Sequence, residues 1–203
     1  MLGRLVPILM GLCLLGCGGR PSRVAPPALD PAGAAAEAIR QFDTNGDGRL
    51  ASSELEACPG LKAAAGEADQ NGDGELSAEE IAGRIGTWAA DRVAMVAVNC
   101  SVVRNGRPLP GARVTFVPEK FLGPNIKPAS GTSNDAGRVD LAVEGAQVQG
   151  MCHCGFFRVE VSKKEGGREL IPAKYNSQTV LGEEIVEDSM RRKQGIVLDV
   201  SGG

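Results

Sequence analysis

The chain has 203 residues, 42% of them hydrophobic, with 22 Lys and Arg against 25 Asp and Glu and a formal net charge of −3. A mildly acidic balance argues against nucleic acid as a partner. A single His cannot supply a zinc peptidase centre, which needs several ligands at set spacing. In chain order, residues 1–16 read as a secretory signal peptide. Arg4 gives a positive start, and Leu5 to Leu15 form an apolar run too short to span a bilayer as a helix. Losing Arg4 with this leader makes the remainder slightly more acidic. Residues 17–30, with Gly18, Gly19, Pro21, Ser22, Pro26 and Pro27, have the composition of a disordered tether.

The leader ends in Leu14-Leu15-Gly16-Cys17, which resembles the bacterial lipobox. That resemblance implies cleavage before Cys17, acylation of Cys17, and a protein anchored by lipid in the cell envelope. Residue 18 is Gly rather than Asp, so the inner-membrane retention signal known in enteric bacteria is not seen.

A helical module is expected over 31–91. Asp30-Pro31 is a helix start, an N-cap carboxylate followed by Pro at the first helical position. The Ala-rich stretch to Phe42 leads into Asp43-Thr44-Asn45-Gly46-Asp47-Gly48-Arg49-Leu50-Ala51-Ser52-Ser53-Glu54, and residues 69–80 repeat the pattern. Both satisfy D-x-[DN]-x-[DN]-G-x5-E, the EF-hand calcium signature. One chance match in a chain this long has odds of about one in a thousand, so two make coincidence negligible. Calcium is a hard cation that takes six to eight oxygens, and a tightly wound loop aims them at one point. In the first loop Asp43, Asn45 and Asp47 offer side-chain oxygens, Arg49 its carbonyl and Glu54 two carboxylate oxygens. In the second the set is Asp69, Asn71, Asp73, the carbonyl of Glu75, Ser77 (directly or through water) and Glu80. Two Ca2+ sites are therefore predicted.

These residues resemble the EF-hand family, and more narrowly the compact paired EF-hands of bacterial exported proteins, over about residues 31–90. In that family the residues equivalent to Leu50 and Leu76 pair across a short β-bridge. Helices are expected over about 53–57, stopped by Pro59-Gly60, and over Leu61 to Ala68. Ser77 and Glu80 form a capping box for the last helix, and Ile81, Ile85 and Trp88 fall on one of its faces. Only residues 55–68 separate the loops, so the apolar set is small and such a core is marginal alone. No Met-rich groove accompanies it. Both features favour structural calcium over a target-binding switch.

From residue 92 onward the hydrophobic period changes to two. Val96, Val98, Cys100 and Val102 alternate, as do Ala112, Val114 and Phe116, then Val139, Leu141 and Val143, then Phe157, Val159 and Val161, then Ile196, Leu198 and Val200. Asn105-Gly106 and Asn134-Asp135-Ala136-Gly137 are turn signals. Short strands with frequent turns suggest a β-sandwich over 92–203, giving an α+β chain of two domains. The runs Gly106 to Phe116 and Gly131 to Gly137 resemble the carboxypeptidase regulatory-like family. Gly155 to Val161 and Ile171 to Asn176 resemble later strands of a bacterial envelope branch of it. The resemblance implies a transthyretin-like sandwich that folds, spaces or binds without peptidase activity.

No catalytic residue is predicted. Cys152-His153-Cys154 sets a thiol beside an imidazole, but strand neighbours point to opposite faces. Cys58, Cys100, Cys152 and Cys154 are an even number in an exported protein, so disulfides are expected. The preferred bridge joins Cys100 to Cys152 or Cys154, leaving the other for Cys58. The charged stretches 163–168 and 183–193 read as solvated surface. The expected function is calcium binding by a lipid-anchored, non-catalytic envelope protein that contacts an envelope protein or polysaccharide. The alternatives are a calcium-responsive adhesion or sensor subunit, and soft-metal (Cu or Zn) binding through Cys152-His153-Cys154.

Overall fold

A computed structural model describes residues 25–189 and 193–202. The leader, Cys17 and the first part of the expected tether lie outside the described residues. Residues 25–30 carry no regular structure, yet the Ala28 carbonyl accepts from Asn125 Nδ2 at 2.8 Å and Leu29 packs against the core.

Four helices come first: α1 (Pro31–Phe42), α2 (Ser52–Leu55), α3 (Pro59–Ala68) and α4 (Ala78–Asp91). Asp30 caps α1, its Oδ1 accepting from the Gly33 amide at 3.0 Å, with Pro31 next in line. Pro59 and Gly60 do not stop a helix; they begin α3. Pro tolerates the first helical turn because its missing N–H would have no partner there. Ser77 caps α4 reciprocally with Glu80. The short strands β1 (Arg49–Leu50) and β2 (Leu76–Ser77) pair antiparallel with Leu50 opposite Leu76, as the family resemblance implied.

The remainder is β-rich. In order come β3 (Val96–Ala97), β4 (Cys100–Arg104), β5 (Arg107–Pro108), β6 (Arg113–Pro118), β7 (Ala129–Thr132), β8 (Arg138–Val139) and β9 (Ala142–Val143). Then follow β10 (Met151–Cys152), β11 (Gly155–Ser162), β12 (Lys164–Glu165), β13 (Arg168–Glu169), β14 (Gly182–Ile185) and β15 (Ile196–Asp199). One open sheet runs β14-β11-β6-β7-β9, all antiparallel. A second contains β15-β4-β5 with β8 on β4, and β15 lies parallel to β4. Asn105 and Gly106, with φ of 52° and 71°, turn the β4–β5 hairpin. Both take positive φ, as a tight two-residue hairpin requires.

The alternating residues Val114, Phe116, Val159 and Val161 are fully buried, and Phe116 sits opposite Val159 in register. Phe156, three residues before Val159 on β11, points to the other face and meets Trp88 of α4 at a centroid distance of 4.5 Å. Phe121 lies 6.0 Å from Phe156 and 6.3 Å from Phe42. Helices and strands thus contribute to one hydrophobic cluster. The small apolar face of the helical pair is completed by the sheet, which answers the shortage of core residues in the helices themselves.

No disulfide is found among the described residues, so the expected bridges are not supported. Cys58, Cys100, Cys152 and Cys154 are buried thiols without a bridge. Cys58, at the start of α3, has Glu119 and Arg158 as its electrostatic neighbours, not another thiol. Burial pushes the Cys100 thiol up to about 12 and raises Cys58 and Cys152 as well. The 183–193 stretch is also not all solvated, since Glu183 and Glu184 of β14 are buried.

Candidate metal centre

Each loop is shaped by its own carboxylates and amides. In the first, Asp43 Oδ1 accepts from the Gly46 amide at 2.6 Å and Oδ2 from Gly48 at 2.9 Å. Asn45 Oδ1 accepts from the Asp47 amide at 2.9 Å, and Asp47 Oδ1 from the Arg49 amide at 2.9 Å. The second loop repeats each bond: Asp69 with Gly72 and Gly74, Asn71 with Asp73, and Asp73 with Glu75, at 2.7 to 3.0 Å. Gly48 and Gly74 both have φ of 84°, and a Cβ at either would meet nothing within 4 Å. Backbone conformation, not space, therefore demands glycine there.

The two glutamates close the loops. Glu54 Oε1 accepts from the Thr44 amide at 2.7 Å and the Asn45 amide at 3.2 Å, while Oε2 accepts from Ala51 at 2.9 Å. These backbone donors, Ala51 first, hold the Glu54 carboxyl down at about 2. Glu80 accepts from the Ser77 amide at 2.9 Å and from Gln70 and Asn71, and the Ser77 amide first among these lowers its pKa. Ser77 Oγ also donates to Glu80 at 2.8 Å, so this residue serves the helix cap as well as the loop.

The acidic side chains are thus spread along their loops on separate amides. Among the described residues no three His, Cys, Asp or Glu side chains are gathered closely enough to hold a metal ion. The donor set nevertheless fits a hard cation. It is all oxygen, it lines a loop with glycines at the tight turns, and the Asp43 and Asp69 oxygens, each accepting one amide, keep a further lone pair. Asp43, Asn45, Asp47 and Glu54 would hold one ion, and Asp69, Asn71, Asp73 and Glu80 another. A bound Ca2+ would supply positive charge that offsets the mutual repulsion of these carboxylates.

Three contacts that sequence reasoning missed tie the second hand to the five-stranded sheet. Arg84 of α4 makes a bidentate pair with Glu184 of β14, Nε to Oε1 at 2.6 Å and Nη2 to Oε2 at 2.9 Å. Both side chains are over 90% buried, and Asp188 adds a contact at 3.3 Å. Pairing with Glu184 raises the Arg84 pKa, whereas burial raises that of Glu184 despite the arginine. The signal was present: Arg84 shares a helical face with Ile81, Ile85 and Trp88, where a cation needs a buried partner.

The second contact is at the other end of the hand. Cys58 provides no side-chain cap for α3. Instead Glu119, which follows β6, accepts from the Gly60 amide at 3.0 Å. Burial raises the Glu119 carboxyl, and the Gly60 amide and Arg158 draw it back. The third is steric. A Cβ at Gly182 would lie 1.7 Å from the Pro59 carbonyl oxygen, and one at Gly60 would lie 2.7 Å from the Phe157 nitrogen. Two glycines allow the α3 backbone to touch the sheet.

Cys152, His153 and Cys154 are all buried, and His153 Nδ1 lies 2.8 Å from the Ala94 carbonyl oxygen.

A family profile described as EF hand matches residues 35–59 and 66–82, covering both loops and parts of their flanking helices. This match supports calcium binding by the helical region. No curated protein and no solved structure matches the chain. Among the described residues no helix is long and apolar enough to cross a membrane.

Proposed function

We propose that the protein binds two calcium ions as structural elements of a lipid-anchored, non-catalytic component of the bacterial cell envelope. The observation that carries the structural role is the clamp on the second hand. Its entering helix α3 is held at Gly60 by Glu119, and its exiting helix α4 is held at Arg84 by Glu184. Splaying these helices would break a buried ion pair, so calcium stiffens this unit rather than opening it. The β-rich region serves as the envelope-facing body, with a transthyretin-like sandwich as the arrangement its sequence resemblance favours. Cys17 provides the lipid attachment, and an envelope protein or polysaccharide is the partner.

Binding to the folded form alone stabilises it by mass action, about 2.7 kcal/mol per site at a hundredfold excess over Kd. The test is a thermal melt in chelator and in millimolar calcium, with a hydrophobic dye present. A higher midpoint with unchanged dye binding supports the structural reading. Dye binding that rises with calcium would instead support a sensor that exposes an apolar face. Acyl mass on the protein recovered from membranes, absent from a Cys17→Ala variant, tests the anchor.

A further inference from the structure

The two loops are near copies in their side-chain to amide bonds, but at one of the differences between them a cation from the other loop is the donor. In the first, Asp47 Oδ2 accepts from Asn45 Nδ2 at 2.8 Å, a neutral group of its own loop. In the second, the equivalent Asp73 Oδ2 accepts from Arg49 Nη1 at 2.6 Å, and Arg49 belongs to the first loop. The β1–β2 bridge sets this up by placing Arg49 opposite Ser77. The side chain at position seven of one loop therefore crosses to position five of the other. Position seven of the second loop is Glu75, of opposite charge, so the relation is not mutual.

We propose that Arg49 lowers the calcium affinity of the second loop. This rests on the calcium reading of residues 69–80. The guanidinium claims an oxygen of a carboxylate that the loop offers to the cation, and it places a fixed positive charge beside a divalent ion. Both effects oppose binding. With the two side chains 41% and 39% exposed, water screens this opposition. The expected effect is on the order of fivefold in affinity, as suits unit charges a few ångströms apart at high effective dielectric. Salt should diminish it.

The test is calcium calorimetry on the full protein carrying Glu54→Gln, which leaves the second loop to report alone. Adding Arg49→Gln should raise the remaining affinity about fivefold in low salt and less in 0.5 M salt. Adding Arg49→Lys, which keeps the charge, should leave it near the starting value. Affinity that Arg49→Gln leaves unchanged or lowers, while calcium still binds, overturns the Arg49 assignment alone. Absence of binding in both the Glu54→Gln and the unsubstituted protein overturns the calcium reading and this proposal with it. A second measurement stands apart from metal. In chelator, the melting points of Arg49→Gln, Asp73→Asn and the double variant should be non-additive; strict additivity counts against the pair.

Discussion

Replacing Arg84 with Met should destabilise the protein by about 3 kcal/mol at pH 7.5. The arginine and Glu184 have 9% and 7% of their side chains exposed, and their two bonds are 2.6 and 2.9 Å long. Removing one member of a buried pair costs ~3–5 kcal/mol because the other charge is left without compensation. The lower end applies because Met keeps the apolar stem in place. In a chain of this size each kcal/mol is worth about 2–4 °C, so the melting point should fall by about 6–12 °C. The pH dependence has a definite sign. Glu184 already has a folded pKa raised by burial, and losing Arg84 raises it further. A carboxyl with a raised folded pKa contributes stability that is fully present below its unfolded value and is lost as pH rises through its folded value. The deficit of the variant should therefore shrink between pH 7.5 and pH 5. Converting Glu184 to Gln in the same chain should recover a large part of it. The assay is a thermal melt at both pH values in calcium. A loss under about 2 °C at pH 7.5, or a deficit that grows on acidification, would refute the clamp.

Gly182→Ala should cost at least about 2 kcal/mol, since its Cβ would sit 1.7 Å from the Pro59 carbonyl oxygen. Gly86→Ala in α4, where a Cβ meets nothing within 4 Å, should stabilise by about 0.5–1 kcal/mol; urea melts compare the two. Glu119→Leu should lower stability by about 1–2 kcal/mol through an orphaned Gly60 amide, while Glu119→Gln, which keeps an acceptor, should cost less. Cys58, Cys100, Cys152 and Cys154 should resist a thiol reagent in the native protein and all react in guanidinium without reductant; fewer than four reactive groups among these would signal bridges.

The loops were legible because their chemistry is local. Asp43 to Glu54 and Asp69 to Glu80 carry their spacing in the sequence, and the Ser77–Glu80 cap spans four residues. Pro59 was ambiguous because the same ring ends one helix and begins another. Val139, Leu141 and Val143 alternate like one strand, yet Val139 pairs with β4 in one sheet and Val143 with β7 in the other. Alternation reports burial, not which partner a residue has. Glu184 read as solvated because its partner Arg84 is 100 residues away in sequence. The cysteine alternation on β4 gave burial correctly, but burial does not imply a bridge. Arg49 was assigned only its carbonyl, since nothing in the loop pattern tells where the side chain at that position will reach.

Calcium titration calorimetry of the protein with and without Glu54→Gln and Glu80→Gln tests the central claim most directly. The account predicts two binding events in the unsubstituted chain, one in each single variant and none in the double. A protein that evolves no binding heat in millimolar calcium, or a double variant that still binds two ions, would contradict it.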